Sequence, residues 1–416
     1  MKQSIAPFEK VFSVISLLLF SQGFFTIILD GGVGGEEGDV DSPLLRIAFL
    51  GIYLISFALL TFRWQRTLSF LKTNLWLLFL IGLAIVSVSW SSIPDVALRQ
   101  VISLIGTTFF ALYLASRNSF EQQLKIYAWT FGVAILFSFL FALALPEYGI
   151  STLGAVQGAW RGIYPHKNGL GESMFASFLT FYFLSISSKK NQLIYRIFCF
   201  FSLVLIVCSD SATSLVSVVY IFAIAQGLSY LSLRSKKSVL LVLLFIIFST
   251  LVIFMIAVYF NAFLSSSGKD ITLTGRTPLW ADLWGFIEQK PWLGYGYGTF
   301  FSGVHRETDL LWKVHSWIPV HAHNGYIQLW LHLGIVGLFV FILGYASCLF
   351  NSLLKYLISK DIKMLWTFLF LIYTVTHDIT EISFLTAQGF IWIISLIAIY
   401  SMKNTSQNSQ QISSIS

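Results

Sequence analysis

The stretch VHAHNGYIQLWLHLGIVGL (320–338) sets two imidazoles, His321 and His323, one residue apart at the start of a strongly apolar run. Histidine titrates near neutrality and is the usual side chain for taking a proton from a reacting hydroxyl. Arginines stand inside two other polar motifs, Arg161 in WRGIYPHKNGLGES (160–173) and Arg276 in TLTGRTPLW (272–280). A guanidinium fork grips phosphate oxygens in pairs and does not lose its charge by titration. Together these groups suit a reaction in which a hydroxyl attacks carbon and a lipid diphosphate leaves. His323 would accept the proton, and Arg161 and Arg276 would stabilise charge on the leaving group, where one good oxyanion donor is worth roughly 3 kcal/mol. The sequence holds no ATP-binding loop, so the energy would come from an already activated donor.

The elements that must position these groups are membrane spans. Of the 416 residues 56% are hydrophobic and only 11% charged, against about 25% charged in a soluble domain. Apolar runs of roughly 18–22 residues recur from Val11 to Tyr400, the length that crosses about 30 Å of hydrocarbon. They are continuous rather than alternating, which excludes an outer-membrane barrel. The expected architecture is an all-α polytopic membrane protein with about twelve spans, near 11–29, 44–62, 73–89, 98–115, 126–145, 169–187, 191–208, 212–232, 238–260, 324–347, 362–377 and 384–401. Residues 1–260 carry the first nine, 261–323 a large outer loop, 324–401 the last three, and 402–416 a polar, disordered cytoplasmic tail. The first run is read as a retained span rather than a removed signal peptide.

Charge sets the orientation. Nearly all Lys and Arg of the short loops, from Lys2 and Lys10 to Lys363 and Lys403, share the side of the N-terminus; only Arg46, Arg99, Arg161 and Lys167 fall opposite. By the positive-inside rule both termini are cytoplasmic. The net charge of +7 is then a topology signal, and nucleic acid is not an expected partner. No histidine falls in a cytoplasmic loop, and Arg99, Arg161, His166, Lys167, Arg276, His321 and His323 gather at one outer face. Ordinary roles compete for several of them: Arg99 snorkelling to the interface, Arg276 pairing with Asp270 or Asp282, His332 as a satisfied interhelical group, His305 and His315 facing water, and Asp210 with Ser211 capping a span.

The outer loop is rich in tryptophan, including Trp280, Trp284, Trp292, Trp312 and Trp317, which argues against disorder. Within it, Leu279, Trp280, Leu283, Trp284 and Ile287 recur at helical spacing behind Thr277 as N-cap and Pro278 at the first position. This predicts a short amphipathic helix at the outer interface. Three other functions compete with the enzyme. GYGYG (294–298) is similar to a potassium filter, but Leu293 stands where a Thr-Val pair belongs. His321 and His323 could be half of a zinc site, but spacing supplies no third ligand, and Asp309 or His315 would have to fold in. A transporter or flippase would put charge at mid-span, where this sequence has almost none. No metal or cofactor is expected.

The motifs TGRTPLW (274–280), PWLGYGYGTF (291–300) and HAHNGYIQLWLHLGIVGL (321–338), in this order, with RGIYPHKNGLG (161–171) and SDSATSL (209–215), resemble the O-antigen ligase and polysaccharide polymerase superfamily. The resemblance implies a GT-C-like, metal-independent glycosyltransferase of the bacterial inner membrane, acting on undecaprenyl-diphosphate-linked glycan at the periplasmic face. By motif match it carries the functional arginines and histidine to Arg276, Arg161 and His323. Arg99, His166, Lys167, Asn168, His321 and Asn324 follow as substrate-binding candidates. His166-Lys167-Asn168 is similar to the exopolysaccharide-production branch, which implies a polymerase; a ligase acting on lipid A-core is the second expectation. Implied partners are the lipid-linked donor, an acceptor glycan or lipid, the bilayer, and a chain-length regulator or flippase.

Overall fold

The computed structural model describes residues 6–25, 42–62, 64–152, 156–230, 276–302, 311–312, 315 and 318–402, with the backbone alone for Arg66 and Tyr230. The described chain is almost wholly helical, as a bilayer requires, because a helix satisfies its own backbone polar groups within one segment. Its helices are α1 (Pro7–Phe20), α2 (Pro43–Thr61), α3 (Trp64–Thr73), α4 (Leu75–Ser87), α5 (Pro94–Arg117), α6 (Phe120–Ala144), α7 (Lys167–Ser187), α8 (Gln192–Cys208), α9 (Ala212–Tyr230), α10 (Arg276–Gln289), α11 (Gly325–Ser359), α12 (Ile362–His377) and α13 (Phe390–Ser401).

Among the described residues, six helices are long and apolar enough to cross a membrane: α2, α5, α6, α7, α9 and α11. A seventh arises if Thr67–Thr73 and Leu75–Ser87, which meet at 90°, form one broken span. Helices α8, α12 and α13 are shorter apolar helices. The polytopic all-α architecture is therefore the observed one. The expected span at 238–260, the acidic segment 30–41, His305, Asp270 and the tail from 403 lie outside the described residues. Helix α13 begins at Phe390 rather than near 384, because the residues before it are used in turns. Asp378 takes the N–H groups of Ser383 and Phe384, and the Thr107 hydroxyl takes that of Gln388.

The chain folds into two compact units, Met1–Ile55 with Tyr113–Val219, and Ser56–Leu112 with Tyr220–Ser416. In the first, Ser119 and Gln122 form a capping box that starts α6, satisfying backbone donors that open every helix unpaired. Glu9 of α1 pairs with Arg117 at 2.7 Å. Helices α7 and α8 pack as a hairpin, with Ser177 and Ser202 hydroxyls at 2.7 Å and the Phe181 and Phe198 rings stacked at 5.0 Å.

In the second unit α10 and the histidine motif share a small core. Leu279, Leu283 and Ile287 of α10 are buried with Tyr295, Phe300, Leu311, Ala322 and Leu331. Burying each of the three aliphatic side chains of α10 contributes about 1.5–3 kcal/mol. The helix predicted from Leu279–Ile287 spacing is present, although it begins at Arg276, with Thr277 and Pro278 already in its first turn. Its apolar stripe, expected to lie at a membrane interface, is instead largely packed in this core, and Trp284 is the exception: it stands 49% exposed, edge-on to Trp330.

Helix α11 is broken at Gly334, whose φ of +67° is left-handed. The break frees backbone groups, and the segment after α10 takes them. Tyr295 N–H donates to the Leu331 carbonyl at 2.8 Å and Gly296 N–H to that of His332 at 3.1 Å; Ile335 N–H returns to the Pro291 carbonyl at 2.8 Å. The PWLGYG motif is thus stitched into the helix break. A Cβ at Gly334 would run into the Trp292 carbonyl. Gly334→Ala is expected to cost about 1–2 kcal/mol from the left-handed backbone alone, with the steric conflict added. The thermal midpoint of detergent-solubilised protein measures this; an unchanged midpoint would reject the stitched break as a stability element.

Candidate active site

The polar groups of the second unit converge on one carboxylate that motif reading did not single out. Glu381 lies in the turn between α12 and α13. Its Oε1 pairs with Arg276 Nη2 at 2.9 Å, and its Oε2 stands 4.0 Å from His323 Nδ1. Arg276 Nη1 also donates to the Thr380 carbonyl. The Arg276 and Glu381 side chains are each 14% exposed. Burial alone would push the Glu381 carboxyl up. The Arg276 guanidinium, then His377, His323 and His321, outweigh this and hold it at about 2. Glu381 is therefore an anion throughout the physiological range.

Local sequence explains how each group reaches this point. Asn324 caps α11, its Oδ1 accepting from the N–H groups of Tyr326 and Ile327, both at 3.0 Å. Its Nδ2 donates to the Ile379 carbonyl at 3.0 Å. Gly325 N–H donates to the Asp378 carbonyl at 2.8 Å, and a Cβ at Gly325 would collide with the Asp378 carboxylate. The Asn-Gly pair is what lets the 378–384 turn lie against the start of α11. Asp378 itself is fully buried and organises that turn, taking N–H groups of Ser383 and Phe384 and the Ser383 hydroxyl. Glu381 is carried out from this turn to Arg276 and His323.

His323 is 6% exposed and sits at φ +47°, left-handed and unusual for a residue with a side chain. Its N–H donates to His321 Nδ1 at 3.2 Å, and the two rings lie 3.9 Å apart between centroids. Taking a backbone N–H at Nδ1 leaves His321 its proton on Nε2. Among the described residues, no group of three or more His, Cys, Asp or Glu is arranged to hold a metal ion.

The structure therefore brings together Arg276, His321, His323 and Asn324. The expected partner Asp282 instead pairs with His315 at 3.0 Å, so His315, expected to face water, has a side chain only 7% exposed. His332 is bonded to Gln328 at 3.0 Å and lies edge-on to Tyr297, the satisfied role expected of it. In the GYGYG segment both tyrosines are buried, their hydroxyls donating to the Phe286 and Leu385 carbonyls. The segment packs helices here.

Arg161, His166, Lys167 and Asn168 belong to the first unit. Arg161 is 5% exposed; its Nε and Nη2 donate to the carbonyls of Tyr148 and Glu147 at 3.0 and 3.1 Å. His166 caps α7 through Nδ1, which accepts from Asn168 N–H, and Lys167 pairs with Asp210 at 3.2 Å. Arg99 stands exposed near the start of α5 in the second unit. The missed residue, Glu381, left one trace in the sequence: HDITE (377–381) puts two carboxylates between apolar runs, in a chain with only 19 acidic residues.

Residues 197–342 match the family model described as O-Antigen ligase. That segment holds Arg276, the glycine-rich stitch, His321, His323 and the break at Gly334; Arg161 and Glu381 lie outside it. Over 334 residues, which cover 76% of this chain and 73% of the relative, the sequence is 23% identical to the exopolysaccharide production protein ExoQ of Rhizobium meliloti (strain 1021). The resemblance read from the motifs is thereby borne out: this multi-pass membrane protein carries an O-antigen ligase family segment and is similar over most of its length to an exopolysaccharide production protein.

Proposed function

We propose that the protein is a metal-independent glycosyltransferase of the inner membrane. It joins exopolysaccharide or O-antigen repeat units carried on undecaprenyl diphosphate, at the periplasmic face, with both termini in the cytoplasm. The observation that carries this reading is one buried carboxylate, paired with a guanidinium at 2.9 Å and standing 4.0 Å from an imidazole nitrogen. In the reaction, an acceptor hydroxyl attacks the anomeric carbon of the donor. Its proton passes to His323 through Nε2, the sugar–oxygen bond to the diphosphate breaks, and undecaprenyl diphosphate departs with the electron pair. Glu381, facing Nδ1, stabilises the imidazolium as it forms, the role a carboxylate plays behind a histidine base. Two of the five N–H donors of Arg276 are engaged by Thr380 and Glu381; the others can meet phosphate oxygens. His321, Asn324 and Arg99 complete the proposed substrate contacts of this unit. A chain-length regulator or a flippase belongs to the same proposal as a partner.

The match to the O-Antigen ligase family favours a second reading, transfer of a finished glycan to lipid A-core. Deleting the gene separates the two. Accumulation of lipid-linked single repeats is the outcome expected for a polymerase; long unattached chains would instead establish the ligase reading. Unchanged surface and lipid-linked glycan would reject both.

A further inference from the structure

The peptide between the two histidines is gripped from both sides. Ala322 is fully buried. Its carbonyl accepts from Trp280 Nε1 of α10 at 2.8 Å, and its N–H donates to Gln328 Oε1 of α11 at 2.9 Å. A backbone N–H can only donate, so the Gln328 atom facing it is the oxygen and the amide NH2 must point the other way. That NH2 lies 3.0 Å from His332 Nε2, which is therefore an acceptor on a neutral ring. Gln328 cannot rotate without losing a partner at each end.

This grip fixes more than one peptide. The Ala322 carbonyl direction sets where His323 begins, and His323 is held at φ +47°, a conformation that persists only when its surroundings over-determine it. The Ala322 N–H direction sets His321, whose Nδ1 closes the turn onto His323 N–H. Packing alone would leave an alanine free to tilt by several tenths of an ångström. Two oppositely aimed hydrogen bonds from separate helices remove that freedom.

We infer that Trp280 and Gln328 are positioning residues that clamp the Ala322 peptide and thereby hold the two imidazoles in register with Glu381. This rests on the reading of His323 as the base. A misplacement of about 1 Å can cost on the order of a hundredfold in rate, so each residue matters without touching substrate. Trp280→Phe keeps most of the ring that packs on the α10 core and removes the donor. Gln328→Leu keeps an aliphatic side chain of shorter reach and removes the acceptor. Gln328→Glu keeps an acceptor for the Ala322 N–H.

The test uses full-length protein in detergent, with a defined polyprenyl-diphosphate glycan as donor, and two readouts. The first is the steady-state split. Trp280→Phe and Gln328→Leu are expected to lower kcat roughly ten- to a hundredfold with donor KM nearly unchanged, and Gln328→Glu is expected to restore most of kcat. The second needs no activity: the rate at which diethylpyrocarbonate modifies His321 and His323, followed by mass spectrometry, is expected to rise in Trp280→Phe and Gln328→Leu and not in Gln328→Glu. Unchanged labelling and unchanged kcat in both variants would overturn the clamp, as would a Gln328→Glu protein as impaired as Gln328→Leu. Full activity in a His323→Asn control would overturn the base reading instead, and faster labelling in the clamp variants would then still uphold the clamp.

Discussion

Replacement of His323 is expected to reduce glycan transfer by roughly 10²–10⁴-fold, the range that a positioned general base contributes, while the protein stays folded. The choice of substitute matters. At φ +47° an alanine would add a backbone cost of about 1–2 kcal/mol, so a lost activity could be read as lost structure. Asparagine tolerates the left-handed region, roughly fills the same space, and cannot accept a proton as imidazole does. His323→Asn should therefore elute as wild type does on size exclusion and show donor binding close to wild type, since the guanidinium contacts are intact. Only turnover should collapse. The neighbouring His321 cannot substitute, because its Nδ1 is already occupied by the backbone N–H of residue 323. A His323→Asn protein that turns over at the wild-type rate would remove the proposed base and leave the site a binding surface only.

The architecture was legible where a physical rule acts along the chain. Run length gave the apolar helices, and α7, α8 and α12 begin and end within about two residues of expectation, the usual uncertainty of helix ends. The apolar face of α10 followed from 3.6-residue spacing, but its destination did not: Leu279, Leu283 and Ile287 meet a protein core rather than a membrane interface. What stayed hidden depends on contacts between distant segments. The right-angle bend between Thr67–Thr73 and Leu75–Ser87 falls at the start of the span expected near 73–89, where run length carries no sign of a turn. The glycines of PWLGYGYGTF stand out as a motif, yet their use, closing the break at Gly334, belongs to a helix that starts some thirty residues later. Arg276 and His323 could be chosen by residue type and motif, but the Glu381 carboxylate that joins them is 105 residues from Arg276. No local period links the two. Sparse acidic residues in a short turn between apolar runs were the one available signal, and it becomes informative only once Asp378 is seen to build that turn and Glu381 to leave it.

The second large effect is expected at Arg276. Its Nη1 and Nη2 address two different acceptors, Thr380 O and Glu381 Oε1, in one plane. Lysine offers a point charge on a flexible stem and cannot reproduce that fork. Losing one charged hydrogen bond of about 1.5–3 kcal/mol corresponds to roughly ten- to a hundredfold weaker donor binding. Arg276→Lys should thus raise the donor dissociation constant by that factor and lower turnover with it, because Glu381 loses the close guanidinium contact that does most to keep it ionised against burial. The same pair fixes a pH dependence of stability. Glu381 titrates at about 2 in the fold and near 4.3 in an unfolded chain, so its contribution is complete above about 4.3 and fades as pH falls toward 2. Wild type should be more heat-stable than Glu381→Gln at pH 6, and that margin should shrink as the pH falls through 4 toward 2. The Arg276→Lys, Glu381→Gln double variant should lose less than the sum of the singles, since the two side chains act on one contact. Additive losses, together with a margin that does not change with pH, would mean that the pair is not coupled, and Arg276 would lose its assignment as the group that holds both the carboxylate and the diphosphate.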